Sequence, residues 1–245
     1  MVRRGVIIVA GGVGARMGAT TPKQFLPLAG KPILAWTVEA FAAALSAVDN
    51  ATALPEADNV AALPEVDIVV ALPAAYMEQW AELSLAHAVP PHKICEGGAT
   101  RFGSVKRALA MLDETCDYIA VHDGVRPLVS RQLIEYVFDV AHKHGTAIPA
   151  LHVTDSIRCA TDENSSYPVD RATLRAIQTP QVFREDILRA GYERAEGSDF
   201  TDDATVVESI GYNIMLCTGE RRNIKITTPA DLTVAEALIS EIWTK

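Results

Sequence analysis

The stretch AGGVG at residues 10–14 sets three glycines at the end of the apolar run VIIVA (6–10), and Arg16 and Lys23 follow within the same loop. Glycines placed after a strand let backbone N–H groups approach a polyphosphate with no side chain in the way. Arg16 offers a planar fork to phosphate oxygens, and Lys23 a compact point charge. The chemistry this suits is transfer at phosphorus. A phosphate monoester is largely dianionic near neutral pH, because its second pKa is about 6, so its attack needs no general base. The difficulty is to bring one anion onto the phosphorus of another, and fixed cations with a metal ion meet it. The bland alternative is a tight turn flanked by two solvated cations.

Two commoner loops fit poorly. A P-loop needs Gly-Lys-Ser/Thr, which does not follow here. A dinucleotide fingerprint needs a third glycine where Met17 stands, and an acid about 20 residues on; the first acid is Glu39. Charge narrows the ligand further. The net charge of −9 argues against nucleic acid as a partner. Yet residues 1–38 hold no Asp or Glu and carry Arg3, Arg4, Arg16, Lys23 and Lys31, as a site for a small, highly charged anion requires.

Cys95, Cys116, Cys159 and Cys217 are scattered without a C-x-x-C pair, and the six histidines form no cluster. Reduced cysteines in a cytoplasmic protein are the expectation. No apolar run approaches the roughly 18 residues of a membrane span. The N-terminal MVRRGVIIVAGG resembles a signal peptide only superficially, since its apolar core is short and runs into glycines.

The elements that must position this loop alternate. VIIVA, DIVVALP (67–73), YIAVHD (118–123), TAIPAL (146–151) and NIMLC (213–217) read as strands buried on both faces. Between them KPILAWTVEAFAAAL, SRQLIEYVFDVAHKHG (Ser130 as cap, Gly145 as stop) and TPADLTVAEALISEIW (Thr228 as cap, Pro229 first) read as helices. The fold class is therefore α/β: a mainly parallel, Rossmann-like sheet with helices on both faces, ligands at the carboxyl ends of the strands. Residues 1–245 read as a single domain. Residues 47–65, with the loose repeat ATALPEAD and AALPEVD, read as a surface insertion, and 152–176 as a projecting β-arm around the polar turn TDENSSYP. Such arms often pack on another subunit, so a homodimer is expected.

CEGGATRFGSVKRAL (95–109), VHDGVRPLVS (121–130), VDRATLRAIQTPQVF (169–183), FTDDATVVE (200–208) and NIKITTPADL (223–232) follow in order. With the N-terminal loop they resemble the 2-C-methyl-D-erythritol 4-phosphate cytidylyltransferases of the non-mevalonate isoprenoid pathway, over about residues 5–240. These belong to the sugar-phosphate nucleotidylyltransferases, which use a nucleotidyltransferase form of the Rossmann-like sheet.

The resemblance implies the following roles. Ala10, Gly11, Gly12 and Gly14 would line the triphosphate of CTP, with Arg16 and Lys23 stabilising the pentavalent transition state. Gly98 and Ser104 would help hold cytidine, and Ala99 stands where some members carry an acid. Asp123, at the CTP site with Gly124, would bind Mg²⁺; Gly124 replaces a more usual alanine. Arg126, Ser156, Thr179 and Thr201 would lie near methylerythritol phosphate, and Arg171 and Lys225 would orient its attacking phosphate. The arm would wrap a partner subunit and close its pocket.

Several readings compete with these. Asp123 could be a helix-start acid, Arg126 could pair with Asp202 or Asp203, and those two acids follow Thr201 as cap and favour a helix start. Cys159 and Trp36 read as packing residues. A ribitol-5-phosphate cytidylyltransferase shares most of the motifs but typically lacks Val169-Asp170-Arg171 before TPQ. An inert nucleotide-binding protein of the same fold would not need both phosphate-orienting cations.

Overall fold

The computed structural model describes residues 2–12, 21–46, 66–197 and 199–243, the last four as backbone alone. The expected insertion at 47–65 lies outside these residues. The first apolar run forms β1 (Arg4–Val9), and a small hairpin of β2 (Pro27–Leu28) and β3 (Lys31–Pro32) leads into α1 (Ile33–Ser46). Then come β4 (Asp67–Leu72), α2 (Met77–Ala86), β5 (Lys93–Glu96), α3 (Arg101–Leu109), β6 (Tyr118–Asp123), α4 (Arg131–His144) and β7 (Thr146–His152). A second hairpin, β8 (Ile157–Ala160) and β9 (Ser166–Val169), precedes β10 (Arg175–Ile177) and β11 (Gln181–Arg184). The described chain ends with α5 (Glu185–Arg194), α6 (Asp203–Glu208), β12 (Leu216–Thr218) and α7 (Pro229–Trp243).

The main sheet runs β10–β7–β11–β6–β1–β4–β5, with β12 along β7. Strands β5, β4, β1 and β6 are parallel, and β11 runs antiparallel between β6 and β7. From β1 the chain steps outward to β4 and β5, then returns to lay β6 on the other side of β1. Strand order therefore reverses between β1 and β6, and a crevice opens at their carboxyl ends.

Alternate residues of β1 face opposite layers. Val6 and Ile8 pack with Leu34 and Phe41 of α1 and with Ile134 and Val137 of α4. Ile7 packs with Val105 of α3, Leu188 of α5 and Val207 of α6. Each such side chain is buried completely, worth about 1.5–3 kcal/mol apiece. A third cluster, including Leu28, Ile33, Leu128, Ile226 and Ala235, ties the first hairpin to α7.

The helix ends follow their residues. Ser130 Oγ accepts the Leu133 N–H at 3.0 Å, and Gly145 closes α4 at φ 83°. Thr228 Oγ1 accepts the Asp231 N–H at 3.3 Å, while the Asp231 carboxylate takes the Thr227 and Thr228 N–H groups at 2.8 Å. Among the described residues no helix is long and apolar enough to cross a membrane.

Three expectations need correction. The last strand begins at Leu216 and not at 213, and with Leu216 47 % exposed it is not buried on both faces. Cys159 is exposed on β8 and is no packing residue. Strands β5 and β11 add to the strands expected, since four residues show too little of a period to declare a strand. Trp36 does pack: its indole N–H reaches the Leu28 carbonyl at 2.7 Å.

The 152–176 segment contains β8 and β9 as a separate two-stranded sheet, Ile157 opposite Val169 and Ala160 opposite Ser166. Asp162 Oδ1 caps the turn by accepting the N–H groups of Asn164 and Ser165 at 2.8 and 2.7 Å.

Gly145→Ala should lower stability by about 1–2 kcal/mol, since a side chain at positive φ is strained and its Cβ would sit 3.1 Å from Ile187 Cδ1. Urea unfolding reads the change; an unshifted midpoint would show that the left-handed stop is dispensable.

Candidate active site

At the crevice between β1 and β6 lies a cavity of 310 Å³ lined by Ala10, Gly11 and Gly12, by Lys23 and Gln24, by Gly97–Arg101 and Ser104, and by Asp123 and Lys225. Its back wall continues the ladder: the Ala10 N–H reaches Ala71 O and the Gly124 N–H reaches Val9 O, both at 2.9 Å. Buried Gln24, which nothing in the sequence singled out, donates Nε2–H to the Ala10 carbonyl at 2.8 Å and pins the start of the glycine loop. The Lys23 side chain runs across that loop, since a Cβ at Gly12 would lie 3.4 Å from its Cε.

The opposite wall is the turn entering α3. Thr100 caps the helix by accepting the Gly103 N–H at 3.0 Å. Ser104 Oγ accepts the Gly98 N–H at 3.0 Å and donates to the Thr100 carbonyl at 2.9 Å. The turn closes so tightly that a Cβ at Gly98 would fall 2.7 Å from the Gly103 carbonyl carbon, so only glycine fits.

Asp123 ends β6 at the cavity floor. Arg126 Nε donates to its Oδ2 at 3.0 Å, and Lys225 Nζ stands 3.1 Å from the same oxygen. Burial alone would raise its pKa. The positive charges of Lys225, Arg126 and Arg101 outweigh that and hold the carboxyl well below the usual carboxylate range. Behind it runs a directional relay. The Asp123 N–H donates to Thr179 Oγ1 at 3.1 Å, and that hydroxyl meets His122 Nδ1 at 3.0 Å. His122 Nε2 faces the Arg126 carbonyl at 3.2 Å, which can only accept, so Nε2 carries the hydrogen and Nδ1 accepts from Thr179. Burial pushes His122 down to about 3, so it is neutral.

Arg126 also donates to the Asn223 carbonyl at 2.9 Å. It pairs with Asp123, and not with Asp202 or Asp203 as the competing reading had it. Asp202, not Thr201, is the N-cap of α6, with Thr205 completing a capping box. Asp203 is more than a helix-start acid: it is fully buried, held bidentately by Arg101 Nη1 and Nη2 at 2.9 and 2.6 Å and by the Tyr192 hydroxyl at 2.6 Å.

Of the residues expected at a site, Ala10, Gly11, Gly12, Lys23, Gly98, Ser104, Asp123 and Lys225 meet at this one cavity. Gly124, Arg126 and Thr179 stand directly against Asp123 or behind it. Thr201 is exposed just ahead of α6. Ser156 and Arg171 lie in the 152–176 segment and do not line the cavity; the Arg171 guanidinium bonds the Thr154 carbonyl. Gly14 and Arg16 fall outside the described residues.

The family model for 2-C-methyl-D-erythritol 4-phosphate cytidylyltransferase matches residues 5–65 and 44–241. The chain belongs to that family. The 2-C-methyl-D-erythritol 4-phosphate cytidylyltransferase of Phocaeicola vulgatus is 41 % identical over 239 residues, covering 97 % of this chain and all of that protein. The corresponding protein of Azobacteroides pseudotrichonymphae is 43 % identical over 245 residues, 98 % of this chain and all of its own. The crystal structure of the Thermus thermophilus cytidylyltransferase superposes with a TM-score of 0.73 at 34 % identity, covering 97 % of this chain and 98 % of that one. Cytidylyltransferase membership makes the chain a nucleotidyltransferase-class enzyme.

The depressed Asp123 pKa sets a pH test. A carboxylate with a lowered folded-state pKa stabilises the protein above its unfolded value near 4, and that contribution is lost as pH falls. Urea stability measured from pH 6 to 3 should therefore fall less steeply for Asp123→Asn than for wild type. Parallel slopes would mean that the three cations do not hold this charge.

Proposed function

We propose that the protein transfers the cytidylyl group of CTP to 2-C-methyl-D-erythritol 4-phosphate, giving 4-diphosphocytidyl-2-C-methyl-D-erythritol and pyrophosphate. The single observation that carries this reading is the convergence of the glycine loop, Lys23, Asp123 and Lys225 on one switch-point cavity. An acceptor phosphate oxygen attacks the α-phosphorus in line, a P–O bond forms, and the bond to the leaving pyrophosphate breaks. The acceptor arrives ionised, so the residues present charge and geometry, not a base.

The glycine loop of Ala10, Gly11, Gly12 and Gly14 holds the triphosphate, and Gly98 with Ser104 the cytidine. Lys23 and Arg16 stabilise the charge that builds at the α-phosphorus. Lys225 and Arg171 orient the acceptor phosphate, with Arg126, Ser156 and Thr201 around the polyol. Thr179 serves from behind, because its hydroxyl is committed to Asp123 and His122.

Asp123 is the residue that would hold Mg²⁺. Among the described residues no group of three or more His, Cys, Asp or Glu side chains could hold a metal by itself. A single ionised oxygen donor beside a polyphosphate site suits magnesium, which takes one or two carboxylates plus substrate phosphates. When bound, the ion supplies charge neutralisation on the phosphates.

Residues 1–245 form one nucleotidylyltransferase domain with the 47–65 insertion and the 152–176 arm. The arm carries Arg171 and Ser156 to the pocket of a second copy, which accounts for their absence from the cavity lining of their own chain.

Pyrophosphate release from CTP and Mg²⁺ should require methylerythritol phosphate; turnover only with ribitol 5-phosphate would overturn the assignment. Lys23→Ala should lower kcat by about 10²- to 10³-fold with a modest change in KM, as for a transition-state contact. Mixing inactive Lys23→Ala and Arg171→Ala subunits should restore part of the activity, because one pocket of the mixed dimer is intact. No recovery on exchange of subunits would remove the arm from the partner's site.

A further inference from the structure

One ion pair at the cavity wall, Arg101 with Asp203, has no part in the reaction as assigned above. Arg101 lines the nucleotide cavity with its side chain 24 % exposed, while its partner Asp203 is wholly buried. Two of the five guanidinium N–H groups go to the Asp203 oxygens; the others take no described partner. The Tyr192 hydroxyl adds a third donor at 2.6 Å, and burial beside that carboxylate pushes the Tyr192 phenol up, keeping its hydrogen in place. Gln181 Oε1 accepts the Asp203 and Ala204 N–H groups at 3.0 and 2.9 Å, so the start of α6 cannot shift against β11. The Asp203 carboxylate thus has one orientation, and so has the guanidinium it grips.

A structural clip alone is a poor account of this. Phe102 and Tyr192, stacked at 4.8 Å between centroids, already join α3 to α5. A buried ion pair adds little stability over an apolar pair of the same volume. The distinctive product of the arrangement is a fixed positive charge at the cavity wall, close enough to act on Asp123.

We propose that Arg101 is a further phosphate-binding residue of the cavity, its free N–H groups directed at a substrate phosphate oxygen, and that Asp203, backed by Tyr192, is the positioning residue that aims it. The assignment rests on the reading of the cavity as a nucleotidyl-transfer site. The phosphate belongs either to CTP or to the acceptor, and kinetics separate the two.

The test is the double variant Arg101→Met with Asp203→Leu, which replaces the pair by an apolar one and should keep an unfolding midpoint close to that of wild type. KM is measured for CTP at saturating methylerythritol phosphate, and for methylerythritol phosphate at saturating CTP. One of the two should rise about tenfold or more, the size of a lost charge-assisted hydrogen bond, with a smaller change in kcat; the one that rises names the phosphate. A folded double variant with both KM values within twofold of wild type would overturn the proposal. Should the double variant fail to fold, Arg101→Lys keeps the charge but loses the fork, and unchanged KM values there would overturn it equally. Calorimetric titration with CTP and with methylerythritol phosphate separates the two levels of inference. Wild type that binds but does not turn over removes the proposed reaction, while a tenfold affinity loss for either ligand in the variant still sustains the role of Arg101. Normal turnover in wild type with unchanged KM and affinity in the variants removes only Arg101.

Discussion

One carboxylate holds the working end of the sheet together. Asp123 receives Arg126 and Lys225 on the same oxygen and feels Arg101 across the cavity, so cations from three separate segments are gathered on one charge. Without it, they would repel one another in a partly desolvated crevice; without them, burial would favour its protonated form. The dependence extends outward. Arg126 carries the Asn223 carbonyl with it, and the Ile226 N–H reaches the Val125 carbonyl at 2.9 Å, so the loop bearing Lys225 is laid against the end of β6.

That carboxylate is itself held by an uncharged frame. The Thr179 hydroxyl accepts from the Asp123 N–H and donates to Nδ1 of neutral His122. Had His122 been charged, Nδ1 would offer a hydrogen where it must accept one, and the relay would break. Its burial against Phe41, with ring centroids 4.9 Å apart, keeps it neutral. Apolar packing in the layer below therefore decides a protonation state, and the protonation state fixes the direction of the hydrogen bonds that hold the site. An acidic chain gathers cations at one cavity in this way, by local arrangement and against its own net charge of −9.

Much of the fold was legible because its signals are local. The runs that became β1, β4, β6 and β7 are apolar enough to be buried on both faces, and Ser130, Gly145 and Thr228 act within three or four residues of where they stand. What failed was short or depended on neighbours: β11 has four residues, and the exposure of Leu216 depends on what covers β12 rather than on its own apolar character. The site divides likewise. Lys23, Asp123 and Lys225 stand in recognisable motifs. Gln24 sits beside Lys23 and Arg101 inside the 95–109 motif, yet their partners are 14 and 102 positions away, and nothing in either stretch marks the pairing.

By itself, the sequence determined the types of the longer elements, the acid-free glycine segment and the membership of the family, because each depends on residue type and spacing along the chain. The tertiary structure alone decided which charges meet. Crossing from β5 back to the far side of β1 sets Asp123 beside the glycine loop, and the return of the 219–226 loop supplies Lys225 from the other end of the chain. Asp203 shows the difference most plainly: in sequence it is a helix-start acid, and in the fold it is the buried counter-charge of Arg101. Electrostatic partnership depends on separation in space and on exclusion of water, and neither is defined until the chain has closed on itself.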